Sequence, residues 1–102
     1  MKTKKKELPK VLVVDDDAEM VYLAQYLLEQ CGYQSDTAMD VQAFKKAYAQ
    51  PQNVVMLDLT MPNGASEAIC NIMVEQRAKH PIVFMTGMLP EEIERRRKQA
   101  ES

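Results

Sequence analysis

The 102-residue chain has no tryptophan, two phenylalanines, three glycines and two cysteines, and no apolar run longer than five residues. Runs this short exclude a spanning helix, which needs about 20 consecutive apolar residues. Cys31 and Cys70 lack the spacing of a metal knuckle or a disulfide framework. Each falls in an apolar helical pattern, so both are expected as buried thiols without redox work, in a reducing cytoplasm. Gly32, Gly64 and Gly87 lie too far apart for a P-loop or a dinucleotide-binding turn, which disfavours nucleotide binding through such loops. Positive charge is also short: a net charge of -2 and a pI of 5.4 supply no field for a nucleic acid backbone. The length itself excludes a second domain. The N-terminal basic cluster, Lys2 to Lys6, runs into Glu7, Leu8 and Pro9 instead of a signal-peptide core. Residues 1–9 therefore read as a solvated basic leader, and residues 10–102 as the domain.

What is present is a regular alternation of strand and helix signals. Lys10 to Val14 is an apolar, β-branched run that stops at Asp15, Asp16 and Asp17, the pattern of a buried parallel strand with acids at its tip. Met20, Ala24, Leu27, Leu28 and Cys31 then recur at helical spacing, with an acid as N-cap and Gly32 at the position after the C-cap. Tyr33 to Ala38 is a short polar strand suited to a sheet edge, and Asp40 caps a second helix with Val41, Phe44, Ala47 and Tyr48 on one face. Asn53 to Leu57 is a second apolar strand, ending in Asp58 ahead of the loop Thr60-Met61-Pro62-Asn63-Gly64. A third helix is expected from about Glu67, with Ile69, Ile72 and Met73 inward, and Lys79, His80 and Pro81 ending it. Ile82 to Met85 is a third apolar strand, with Thr86-Gly87 at its tip. Pro90 opens a last helix with acids in its first turn, Arg95 to Lys98 toward its end, and a thin stripe of Leu89, Ile93 and Ala100.

Such alternation predicts a parallel sheet with helices on both faces and all strand tips at one edge, where ligands of such sheets bind. Asp15, Asp16, Asp58 and Thr86 then converge. Asp15 to Asp17 read equally as an N-cap cluster; Asp58, at the end of an apolar strand, does not, since an unpaired carboxylate beside a core is costly. Clustered carboxylates with open water positions suit Mg²⁺. Beside such a cation Asp58 can serve as a nucleophile toward a phosphoryl group, and the Thr86 hydroxyl can donate to a phosphoryl oxygen.

The three segments Val-Leu-Val-Val-Asp-Asp-Asp, Met-Leu-Asp-Leu-Thr-Met-Pro and Phe-Met-Thr-Gly, in this order and spacing, resemble the receiver domain of bacterial two-component response regulators. The resemblance runs from about Lys10 to the end of the chain. It implies a flavodoxin-like α/β fold with strand order 2-1-3-4 and then 5, here reduced to about four strands and four helices. It further implies Asp58 as phosphoacceptor and Mg²⁺ on Asp16, Asp58 and the carbonyl of Thr60, with Asp15 acting through water. The phosphoryl donor would be a sensor histidine kinase or a phosphotransfer protein, and an output domain or partner would respond.

The sequence departs from that pattern in two places. The family's lysine on the fifth strand has no counterpart, and Ala65 and Ser66 stand where an acid or Ser and then Gly are usual. A phosphorylated receiver therefore competes with an interaction module that is never phosphorylated. A metal-dependent phosphohydrolase fits less well, because Leu59 and Thr60 follow Asp58 where a second acid would stand. His80 is expected as a surface residue at a helix end, and Met56, Met73 and Met85 as core fillers. An apolar strand at Ile82 to Met85 on the sheet border is a template for self-association.

Overall fold

The computed structural model describes residues 8–87 and 90–101; Lys2 to Lys6 and Leu89 lie outside them, as does the side chain of Ala100. Strands and helices alternate as β1 (Lys10–Val14), α1 (Ala18–Gln30), β2 (Gln34–Ala38), α2 (Val41–Tyr48), β3 (Val54–Asp58), α3 (Ala65–Glu75), β4 (Ile82–Met85) and α4 (Pro90–Glu101). All strand pairs are parallel, in the order β2-β1-β3-β4, the flavodoxin-like arrangement the resemblance implied. β1 and β3 sit centrally because they alone bury side chains on both faces. Leu12, Val14, Val55 and Leu57 point to one face, where they meet Phe44, Ile69 and Met73 of α2 and α3. Val11 and Val13 point to the other and meet Val21 of α1.

The first two helices start on acids and stop as their sequences require. Asp17 caps α1 by accepting from the Glu19 N–H, and Asp40 caps α2 by accepting from the Ala43 N–H. Gly32, at φ 88°, closes α1: its N–H reaches the Glu29 carbonyl, and the Tyr33 N–H reaches that of Leu28. The third helix departs from expectation at both ends. It begins at Ala65 instead of Glu67, after a left-handed Gly64, and ends at Glu75, well before His80. Arg77 takes the left-handed conformation (φ 54°), so its N–H reaches the Val74 carbonyl and the Ala78 N–H reaches that of Met73. Ala78 packs on the core cluster that holds Met73, and this contact offsets the strain of a side chain at positive φ.

His80 is consequently not a helix-end residue. It lies half-buried before β4, with Nε2 2.5 Å from the Tyr48 hydroxyl and its ring edge-on to that of Tyr48, tying this segment to α2. The α1 side is less buried than its periodicity predicts. Only Val21 of α1 is fully buried, while Met20 and Leu27 are about half exposed and Cys31 is exposed. The apolar stripe is wider than the face that β1 and β2 cover. Met20, Leu23 and Leu27 therefore line an open apolar groove with Met56 and Met85, which are half-buried, whereas Met73 is fully enclosed. Cys70 is half-buried, and burial pushes its thiol pKa up. On β4, Val83 and Phe84 are exposed at the sheet border.

Candidate functional site

The site forms where β1 and β3 end side by side. Val14 pairs with Leu57, so the next residues, Asp15 and Asp58, emerge alongside each other at the C-terminal edge of the sheet. Both are buried, and Asp16 beside them is exposed. One carboxylate oxygen from each of the three lies within 4.8 Å of the others. Asp17 points elsewhere as the α1 cap, so the acidic run serves both readings its sequence allowed: one acid caps, two join Asp58.

Local hydrogen bonds aim these groups. The Asp17 N–H donates to Asp15 Oδ1 at 2.9 Å, turning the Asp15 carboxylate back over the start of α1. Thr60 donates twice to Asp58 Oδ1, from its N–H at 2.9 Å and its hydroxyl at 2.7 Å. Ser66, buried in the first turn of α3, donates its hydroxyl to the Asp58 backbone carbonyl at 2.7 Å. The Leu59 N–H bonds the Met85 carbonyl, which carries the β3–β4 ladder past Asp58 and brings β4 up to the site. Asp15, Asp16, Asp58, Thr60 and Thr86 all line one hollow of about 490 Å³ at the strand tips. The site residues read from the sequence are therefore brought together. Ser66, which in the sequence marks only a departure from the family's loop pattern, joins them through the Asp58 carbonyl. A small hydroxyl residue in the first turn of the helix after the acid was the available signal.

Burial raises the pKa of Asp15 above its ordinary value, and the neighbouring carboxylates of Asp58 and Asp16 raise it further, against a lowering by the Asp17 N–H. The like charges of Asp58 and Asp16 thus disfavour the ionised form of Asp15. Three convergent carboxylates are a hard oxygen donor set, the chemistry of a Mg²⁺-type cation, so the residues present fit such an ion.

Residues 11–101 match the family described as Response regulator receiver domain. The chain belongs to this family. It is 37% identical over 79 residues to the alkaline phosphatase synthesis transcriptional regulatory protein PhoP of Bacillus subtilis, covering 76% of this chain and 33% of that protein. To the transcriptional regulatory protein ResD of the same organism it is 33% identical, covering 76% and 32%. The chain thus spans about a third of the length of these two relatives. Among solved structures, the chemotaxis response regulator CheY4 of Vibrio cholerae superposes with a TM-score of 0.72 at 27% identity, over 90% of this chain and 79% of that one. The response regulator TrrA of Thermotoga maritima, in complex with Mg²⁺ and BeF, gives 0.71 at 27%, over 79% and 71%. The receiver is thus a signalling module of the two-component type. Among its described residues, no helix is long and apolar enough to cross a membrane.

Proposed function

We propose that this receiver takes a phosphoryl group onto Asp58 from a sensor histidine kinase or a phosphotransfer protein. The observation that carries the reading is the placement of Asp58, buried at a strand tip with oxygens of Asp15 and Asp16 within 4.8 Å. Asp16, Asp58 and the Thr60 backbone carbonyl would hold Mg²⁺, with Asp15 acting through water. When bound, the ion supplies positive charge that offsets the carboxylates and the phosphoryl oxygens. An Asp58 carboxylate oxygen attacks phosphorus as the bond to the donor imidazole nitrogen breaks. That electron pair stays on nitrogen, and an acyl phosphate forms. Thr86, on the rim of the same hollow, donates its hydroxyl to a phosphoryl oxygen and reports the change toward β4 and α4.

In this reading residues 10–102 form the receiver and residues 1–9 a basic leader. The module works in the cytoplasm, signals without turning over a separate substrate, and acts on an output domain or partner. It also self-associates through the β4 border, where Val83 and Phe84 are exposed on a strand that, among the described residues, pairs on one side. The test is incubation with a small phosphodonor and Mg²⁺, followed by intact mass. A base-labile adduct that Asp58→Asn abolishes is the expected result. A wild-type chain that takes no adduct, while keeping its fold, returns the function to an interaction module. Release of inorganic phosphate with many turnovers would favour a phosphohydrolase.

A further inference from the structure

We propose that Ser66 is a positioning residue of this site: its buried hydroxyl fixes the segment from Asp58 to Thr60 in the form that takes the divalent cation. The inference rests on the reading of Asp58 and its neighbours as a Mg²⁺ and phosphoacceptor site. Ser66 is only 3% exposed, and its Oγ donates to the Asp58 carbonyl at 2.7 Å. That bond joins the end of β3 to the first turn of α3 and closes the intervening loop into a ring.

Inside the ring the chain reverses through Asn63 (φ 59°) and Gly64 (φ 69°), both left-handed, and the Ala65 N–H bonds back to the Pro62 carbonyl. Such a loop has few internal ties. It is also anchored by Met61, whose side chain is buried in the core, and by Thr60, whose two bonds both go to Asp58 Oδ1. The direction of the Asp58 carbonyl is set by the same backbone rotation that sets the path onward to Thr60. A hydrogen bond holding that carbonyl therefore holds the angle at which Thr60 returns to the carboxylate. Ser66 touches neither the carboxylate oxygens nor the hollow they line. It acts through Asp58.

Groups that orient metal ligands without binding the metal change affinity by about 10–100-fold when removed. Because Ser66 holds a backbone carbonyl and not a ligand atom, the lower end applies. The probe is Mg²⁺ alone, titrated into the full chain and followed by the backbone amide signals of Asp16, Asp58 and Thr60. In Ser66→Ala, the concentration at half-saturation should rise about tenfold. Ser66→Thr, which keeps the hydroxyl, should recover most of that loss. Val11→Ala, at the opposite end of the sheet, serves as the control for lost stability: it lowers the thermal midpoint and leaves the Mg²⁺ midpoint in place. A purely structural serine would behave like Val11, and a Mg²⁺ midpoint for the Ala variant within twofold of wild type overturns the proposal. A wild-type chain with no Mg²⁺ titration overturns the functional reading itself.

Discussion

Replacing Asp15 by Asn should stabilise the metal-free protein at neutral pH, although the exchange conserves volume and brings no gain in packing. Asp15 shares a space of 4.8 Å with two other carboxylates. Two unit charges at that separation repel by about 3.5 kcal/mol at an effective dielectric of about 20, and by about 0.9 kcal/mol in bulk water. Asp15 is buried and Asp16 exposed, so a net relief of about 1–2 kcal/mol is expected between those limits. The Asn side chain keeps the bond from the Asp17 N–H through its Oδ1, and its amide can donate toward Asp58. Each kcal/mol corresponds to about 4–8 °C in thermal midpoint for a domain of this size.

The pH dependence has a definite sign. The folded-state pKa of Asp15 is raised above 3.8, first by burial and then by Asp58 and Asp16, so ionisation costs more in the folded protein than in the unfolded chain. The wild-type penalty is absent below pH 3.8, grows as pH rises through the raised value, and is complete above it. The advantage of Asp15→Asn should follow the same curve, near zero at about pH 3 and larger at about pH 7. Mg²⁺ at a hundredfold excess over its dissociation constant would add about 2.7 kcal/mol to wild type, and less to a variant that binds it more weakly. Urea unfolding followed by circular dichroism, in chelator and in Mg²⁺, measures all three effects. A variant less stable than wild type in chelator at pH 7, or an advantage equally large at pH 3, would refute the charge argument.

Three further outcomes are expected. Asp16→Asn and Asp58→Asn should each abolish or strongly weaken the Mg²⁺ response of the amide signals at the strand tips, and two unchanged titrations would remove the site assignment. Phe44→Ala should cost about 3–5 kcal/mol, because Phe44 is fully buried and its ring stacks on Tyr48 at 4.8 Å; a urea midpoint close to wild type would count against the core described on that face. Val83→Asp should weaken self-association in sedimentation runs across a wide concentration range, whereas a wild-type chain that stays monomeric at high concentration rules the β4 contact out.

The strands were legible because β1, β3 and β4 are continuous apolar runs that end abruptly in polar residues, a pattern few other local structures produce. The caps at Asp40 and Gly32, and an acid capping α1, were legible for the same reason, since each uses a residue type whose local chemistry suits that position; that Asp17 is the acid that caps was decided by the fold. The end of α3 was not. Arg77 occupies a left-handed position that glycine usually holds, and the contact that stabilises it, Ala78 on the core, is long-range. His80 was misplaced as a result, and its bond to Tyr48 joins residues far apart in the chain.

At the site, local sequence specified that acids follow β1 and that an acid ends β3, since a strand's tip is marked by the residues at its boundary. Pairing β1 beside β3 in parallel register then placed those acids within one ion's reach, because the alignment of Val14 with Leu57 is a property of the sheet and not of either strand. Residue spacing likewise carries no information about how deep α1 lies. Its stripe of Met20, Leu23 and Leu27 has the periodicity of a buried face, yet burial depends on what lies opposite, and the described chain covers only part of it. The Ser66 bond belongs with these long-range results: a serine near a loop becomes a clamp only once folding brings the Asp58 carbonyl within 2.7 Å of its hydroxyl.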